Sequence, residues 1–323
     1  MKLSFLSIIL LFLPVSSIYS AEDSTSESDK ANHKPKNFVI KVMDNYSDKG
    51  FNISEEKDDL VYKSNAGESI DLSFSYKGFG LSTSIRRGYD YNTDKHGKSK
   101  IINCMLFSYK ENTGVELYFN RNKGYYLDNE GSYDYVTGET ETIRPDITRR
   151  QIGGNFYFSL PLSDNFSFAN AYDFQNLIDK SGGALILYTG FNFIKLSSDS
   201  GLIPTEAMKY FNYSENLKSI DTINLYAGAG FMYTFSFYGL FIVPSLILSM
   251  GPSYSEYTTS GNQTNSTNNE SVFNFDIKFT FGYNRESFAI GFYIIGNTSY
   301  YGMNNCHIYL DNTKLGCFAG VRF

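Results

Sequence analysis

Three histidines, His33, His96 and His307, are the side chains best suited to acid–base work near neutral pH. A hydrolase needs one of them beside a nucleophile such as Ser, with a third group orienting the ring. Neither His96-Gly97-Lys98-Ser99 nor Cys306-His307-Ile308 supplies that arrangement locally, so catalysis would require a distant Ser or Asp. Asp90-Tyr91-Asn92-Thr93-Asp94 begins like a calcium loop, but its sixth position is Lys95 instead of Gly and its twelfth is Ile101 instead of Glu. An acidic surface loop is the better reading. Gly228-Ala229-Gly230 is too short for a dinucleotide fingerprint and lies within a strand pattern, where small residues relieve crowding. Arg86-Arg87 and Arg149-Arg150 fall at strand ends. Solvated charge at a turn is the plainer reading there, and contact with lipid phosphates the sharper one. No catalytic, cofactor-binding or metal-binding residues are expected from these groups.

The elements that would position these groups alternate strictly. Ile70-Asp71-Leu72-Ser73-Phe74-Ser75-Tyr76 and Phe273-Asn274-Phe275-Asp276-Ile277-Lys278-Phe279-Thr280-Phe281 each place apolar side chains on one face and polar or small ones on the other. Ile223, Leu225, Ala227, Ala229, Phe231, Tyr233 and Phe235 repeat the pattern opposite Asn224, Tyr226, Gly228, Gly230 and Thr234. Further segments run over 79–85, 101–109, 115–121, 152–160, 166–174, 185–193, 240–250, 288–300 and 315–323. Many are long enough to cross a membrane at a tilt. Their off-face residues include Asp71, Glu116, Asp173, Asp276 and Lys278, as a wet lumen requires. Tight turns at Lys77-Gly78, Glu111-Asn112, Tyr238-Gly239 and Arg285-Glu286 contrast with long connections at 88–98, 128–146, 197–218, 257–270 and 301–314.

The fold expected is therefore all-β, an antiparallel transmembrane β-barrel of about 12 strands (range about 10–14). Closure is required because an open sheet edge in hydrocarbon leaves backbone groups unpaired, each costing several kcal/mol. Tyr76, Tyr109, Tyr172, Tyr233, Tyr283 and Tyr300 would form aromatic girdles. The strand order contains one conflict: the short 161–165 and the long 128–146 each fall where the opposite length is due. Either a strand between 128 and 196 is miscounted, or 197–218 folds inward or faces the periplasm. Ile203 to Tyr210, with Pro204 at its first turn, would start a short helix, serving as an ordinary loop helix or as a plug.

Residues 1–20 read as a cleaved signal peptide, with Lys2, an apolar run from Leu3 to Val15 and Ser20 before Ala21. Residues 21–45, which include His33, read as a mobile polar periplasmic tail, and 46–323 as the barrel. Among 323 residues, 28 Phe and 27 Tyr rule out disorder, and a net charge of −6 argues against nucleic acid as a partner. The odd count of Cys104, Cys306 and Cys317 excludes a closed disulfide framework. Cys306 and Cys317 would either pair across a hairpin or stand as isolated apolar side chains. Asn265-Ser266-Thr267 marks a polar loop.

Several stretches, in order, resemble a bacterial family catalogued as domain of unknown function 4421. They are Tyr76-Lys77-Gly78-Phe79-Gly80, Gly97-Lys98-Ser99-Lys100, Lys123-Gly124-Tyr125-Tyr126-Leu127, Arg144-Pro145-Asp146-Ile147, Lys180-Ser181-Gly182-Gly183 and Leu202-Ile203-Pro204. The resemblance covers roughly 45–323 and implies an outer-membrane barrel, with no activity or catalytic residues attached. The last strand, with Leu315, Cys317, Ala319, Val321 and Phe323 on one face, resembles the assembly signal of bacterial outer-membrane proteins. The expected location is the bacterial outer membrane. The expected partners are its lipids and, through the strand ending at Phe323, the barrel-assembly machinery. The expected role is non-enzymatic: a narrow pore, a structural element or a surface-binding protein. The alternatives are an outer-membrane hydrolase acting on lipid or lipopolysaccharide through His96 or His307, and a secreted β-sandwich adhesin.

Overall fold

A computed structural model of the chain describes residues 37–65, 67–86, 93–128, 143–211, 217–259, 264–303 and 306–323. Residues 1–36, on which the expected signal peptide and most of the expected polar tail with His33 fall, lie outside the described residues, as do Arg87 and Asp90 to Asn92. The strands are β1 (Phe38–Glu55), β2 (Asp58–Lys63), β3 (Glu68–Tyr76), β4 (Phe79–Arg86), β5 (Lys100–Tyr109), β6 (Thr113–Leu127), β7 (Ile143–Pro161), β8 (Gly182–Ser197), β9 (Leu217–Phe237), β10 (Leu240–Thr259), β11 (Thr264–Asn284), β12 (Phe288–Met303) and β13 (Cys306–Arg322). Short helices α1 (Thr93–His96) and α2 (Phe168–Asp173) complete the regular structure, with one 3-10 turn at Thr205–Ala207.

Antiparallel pairing runs without a break from β3 through β4, β5 and β6 to β13, and β1 joins β13 to β3. Among the described residues every strand of the sheet is paired on both sides. β2 and β3 both pair with β1, along its second and first halves respectively, so they form one stave broken at Ser64–Gly67. The barrel therefore has twelve staves. The closing seam runs from Val39 opposite Arg322 to Glu55 opposite Cys306. Reciprocal hydrogen bonds between the backbones of Phe38 and Phe323 finish it.

The count of about twelve is right although two of its members differ. Residues 166–174 are not a strand; they form the α2 segment, which folds into the lumen. The missing stave is β1, so the barrel starts at Phe38, ahead of residue 46. Exchanging the two restores the alternation of connections. The termini and the turns at 77–78, 110–112, 162–181, 238–239 and 285–287 share one end, called here the turn end. The other connections between staves leave from the opposite end, the loop end. There β10–β11 and β12–β13 continue as paired ladders through much of 257–270 and 301–314, so Asn265-Ser266-Thr267 belongs to β11 and not to a loop.

The greasy faces point away from the lumen. On β11, Phe273, Phe275, Ile277, Phe279 and Phe281 are all exposed, whereas Asn274 and Thr280 are buried. At about 3.3 Å per residue this run covers about 26 Å of strand. A tilt of about 40° leaves about 20 Å, close to the roughly 25 Å apolar band of membrane barrels. The exposed runs Leu185–Phe193 on β8 and Val115–Phe119 on β6 continue the band. A soluble sandwich would bury these faces against each other, so that alternative is overturned. The chain is a membrane-spanning β-barrel.

Aromatic side chains crowd the turn end: Phe38, Tyr76, Phe79, Phe237, Tyr238 and Phe323 are all exposed. Tyr109 and Tyr172 are not part of any girdle. Tyr109 is buried in the lumen, and Tyr172 packs inward against the core. Cys306 and Cys317 cannot pair, because they sit on the same strand, one facing in and the other out.

Candidate functional site

The lumen is built in three layers. At the turn end, the 162–181 connection enters the barrel. Ser167 caps α2, its Oγ accepting from the Asn170 backbone N–H at 3.4 Å, and Phe174 ends it in the left-handed region at φ 56°. Phe168, Ala169, Ala171 and Phe174 are buried, and Phe174 stacks on Phe318 at 4.8 Å. The wall holds the segment through its backbone: Phe168 and Ala169 N–H donate to the carbonyls of Glu111 and Lys110 at 2.8 and 3.0 Å. Ile178 N–H donates to Asn284 Oδ1 at 2.8 Å, and Arg322 donates to the Phe174 carbonyl. Asp173, fully buried, forms an ion pair with Lys41 and accepts from Ser75 Oγ at 2.6 Å.

Above this inner stopper lies a cavity of about 410 Å³. Glu116 stands in its wall and accepts hydrogen bonds from the hydroxyls of Tyr109 and Tyr157 and the amide of Asn155. Asn155 Oδ1 in turn accepts from Tyr188 and Tyr226, at 2.9 and 3.0 Å. Lys278 Nζ lies 3.9 Å from the centre of the Tyr172 ring, within cation–π range. Lys314 pairs with Asp71, and Asn297 donates to Asp276. The lumenal acids and Lys278 expected from alternation thus face inward, although Asp173 arrives from the α2 segment and not from a strand. Arg149 and Arg150 divide: Arg150 is exposed, while Arg149 is buried and donates to the Gly50 carbonyl at 3.0 Å. Arg149 is therefore not a lipid-phosphate contact.

The third layer packs inside the barrel at the loop end. Leu202, Ile203, Ala207 and Phe211 are buried in one cluster with Phe51, Leu60, Tyr62, Tyr125, Ile147 and Leu196. The helix expected at 203–210 is reduced to the 3-10 turn, with Pro204 just before it. This outer stopper is clamped. Arg144 donates to the Gly201 carbonyl and to Ser198 Oγ, and pairs with Asp146 at 3.2 Å. Asp146 also accepts from the Ser200 backbone N–H at 3.2 Å, and Tyr62 donates to the Leu202 carbonyl at 2.6 Å. On β7 the exposed apolar residues begin at Ile152, so Asp146 lies beyond the band. Burial raises its carboxyl, but hydrogen bonds from Arg144, Ser198 and Ser200 outweigh this and hold it well below the usual carboxylate range.

These contacts explain the stretches singled out in the sequence. Gly78 turns the chain at φ 85°, where an added Cβ would lie 2.3 Å from the Tyr109 carbonyl. Gly124, at φ 89°, sits at a bulge in β6 with room for no Cβ against the Lys98 carbonyl. Ser99 Oγ donates to the Gly124 carbonyl and accepts from Asn65 N–H, both at 2.8 Å, patching the break between β2 and β3. Arg144, Asp146, Leu202 and Ile203 form the outer clamp and stopper. A family model described as Domain of unknown function (DUF4421) matches residues 27–323. The chain belongs to this family. In this member, the family-like stretches build the walls and stoppers of the lumen.

No curated protein sequence matches the chain. Solved structures similar to it include the outer membrane protease OmpT from Escherichia coli, at 8% identity and TM-score 0.38, covering 91% of this chain and 99% of that one. The toluene transporter TodX from P. putida aligns at 8% identity and TM-score 0.34, covering 90% and 91% of the two chains. The translocator domain of the autotransporter NalP from Neisseria meningitidis aligns at 10% identity and TM-score 0.33, covering 91% and 90%. The barrel itself rests on the strand pairing described above.

The described histidines lie apart from the cavity lining. His307 Nδ1 is 2.7 Å from the Tyr300 hydroxyl, and His96 stacks on Tyr126 at 4.2 Å. Among the described residues, no group of three His, Cys, Asp or Glu side chains is arranged to hold a metal ion.

Proposed function

We propose that the chain is a non-enzymatic integral barrel of the bacterial outer membrane, closed at rest, which holds a small polar solute in its lumen. The observation that carries this reading is the layering: a charged, tyrosine-lined chamber between two apolar stoppers. A general diffusion pore needs a continuous water path, and twelve staves already enclose a narrower lumen than the 16–18 strands of porins. In this reading the turn end faces the periplasm, as short turns do in such barrels. Residues 1–20 serve as the export signal, outer-membrane lipids surround the band, and the strand ending at Phe323 engages the assembly machinery.

The test is conductance of the refolded barrel in planar bilayers, with folding checked by anomalous migration on unboiled gels. The wild type should carry no steady current. A variant with both 163–181 and 199–216 replaced by short turns, so that neither stopper remains, should conduct in discrete steps. Steady wild-type conductance of porin size would overturn the closed-barrel reading.

A further inference from the structure

Lys49 on β1 and Arg149 on β7 line the chamber close to the outer stopper; Lys49 lies two residues from Phe51 on the same face of its strand. Both are buried, and each is answered by a neutral group. Lys49 Nζ donates to Asn103 Oδ1, and Arg149 to the Gly50 carbonyl, each at 3.0 Å. Among the described residues no carboxylate pairs with either. Lys49 feels the like charges of Arg149 and Lys314, and the nearby carboxylate of Asp71 is already taken by Lys314. By contrast, Lys41 has Asp173 as its counter-charge.

Two buried neutral hydrogen-bonding groups adjoin this pair. Asn122 stands directly opposite Arg149 in the β6–β7 register, is 3% exposed, and has only the Tyr125 hydroxyl within reach of its amide. The hydroxyl of Tyr301, fully buried and in electrostatic reach of Arg149, has no hydrogen-bond partner. Burying two cations together is unfavourable unless an anion joins them. The guanidinium fork matches the paired oxygens of phosphate or carboxylate, and Lys supplies a second point charge.

We propose that Lys49 and Arg149 form a lumenal oxyanion site that takes the phosphate or carboxylate head of a small solute. Asn122 and Tyr301 flank the site as neutral hydrogen-bonding groups. The proposal rests on the closed-chamber reading, since the chamber is where the solute is held.

The test uses the mature chain refolded in lipid-free, non-ionic detergent in the presence of radiolabelled inorganic phosphate, so that entry through a closed stopper is not required. Gel filtration then separates bound from free label, and mobility on unboiled gels verifies the fold. The folded wild type should retain about one phosphate per barrel. Lys49→Gln and Arg149→Gln should each lower retention at least tenfold, Lys49→Arg should restore much of it, and the exposed Lys195→Gln should leave it unchanged. Succinate should compete, and chloride should not. A folded wild type that retains no label, equal retention in all variants, or competition by phosphatidylglycerol but not by succinate would each overturn the site. Conductance measured on the same variants keeps the two readings separate. Lost phosphate with no current removes the site and leaves the closed barrel standing, whereas steady current removes the closed barrel whatever the label does.

Discussion

Asp146 ties the outer stopper to the wall, and its environment gives that tie a pH dependence. Its folded carboxyl titrates below the unfolded value of about 3.9. The stabilisation is therefore complete above that value and is lost as pH falls through the lower, folded one. Protease susceptibility of residues 198–211 should accordingly stay flat from neutrality to about pH 4 and rise on further acidification. Asp146→Asn should remove this acid step and weaken the clamp by about 1–3 kcal/mol at neutral pH. An acid step unchanged in the variant would show that another carboxylate holds the loop. The clamp residues were visible in the sequence only as part of Arg144-Pro145-Asp146-Ile147; their partners lie more than fifty positions away, at Ser198 and Gly201. Arg149 did leave a local trace. Two adjacent arginines on a strand must face opposite sides, so one of Arg149 and Arg150 had to enter the lumen.

At the scale of elements, alternation revealed the strands that are apolar on one face, and it misread two segments for opposite reasons. Phe166 to Phe174 alternates large and small side chains as a strand would. It is surrounded by barrel wall, so Phe168, Ala169, Ala171 and Asp173, on more than one side of α2, are all buried, and the helical period is lost. The Ser167 cap was the available signal for a helix start. The first half of β1 falls within the stretch expected as a polar tail, 21–45. Its lumen face carries Lys41, Asn45, Ser47 and Lys49, and its outward face carries Asp44 and Asp48, so its hydrophobic pattern fades halfway. The break between β2 and β3 could not be read from pattern at all, because it is patched by Ser99 and Gly124 from other staves. Ser99→Ala should remove both hydrogen bonds of the patch and cost about 1–3 kcal/mol. Gly124→Ala should be worse, since it adds a clash to a backbone conformation that only glycine adopts freely. Urea titration of the folded gel band should rank the wild type first, Ser99→Ala second and Gly124→Ala last. Equal midpoints would mean that the patch contributes nothing to closure.

For the whole molecule, everything inside the wall depends on what lies outside it. Chamber charges such as Glu116 and Lys278 are tolerable only because the wall is closed and the apolar faces have turned outward. In water that exterior would be an aggregation surface; in a bilayer it is the solvent-facing side. The two environments predict different responses to an outward charge. In lipid, the penalty for Arg depends on depth: about 2–4 kcal/mol at the midplane and about 0–1 near the interface. Ile277 is the central outward residue of the exposed run on β11, whereas Leu240 lies beside the turn at 238–239. Ile277→Arg should therefore lower folding stability in phospholipid vesicles by about 2–4 kcal/mol and Leu240→Arg by less than about 1 kcal/mol. The same comparison in a lumen-facing pair would not follow depth, because protein and polar side chains set the surroundings there. If both outward arginines cost the same small amount, the band does not sit in hydrocarbon, and a membrane barrel is no longer the explanation for its apolar exterior.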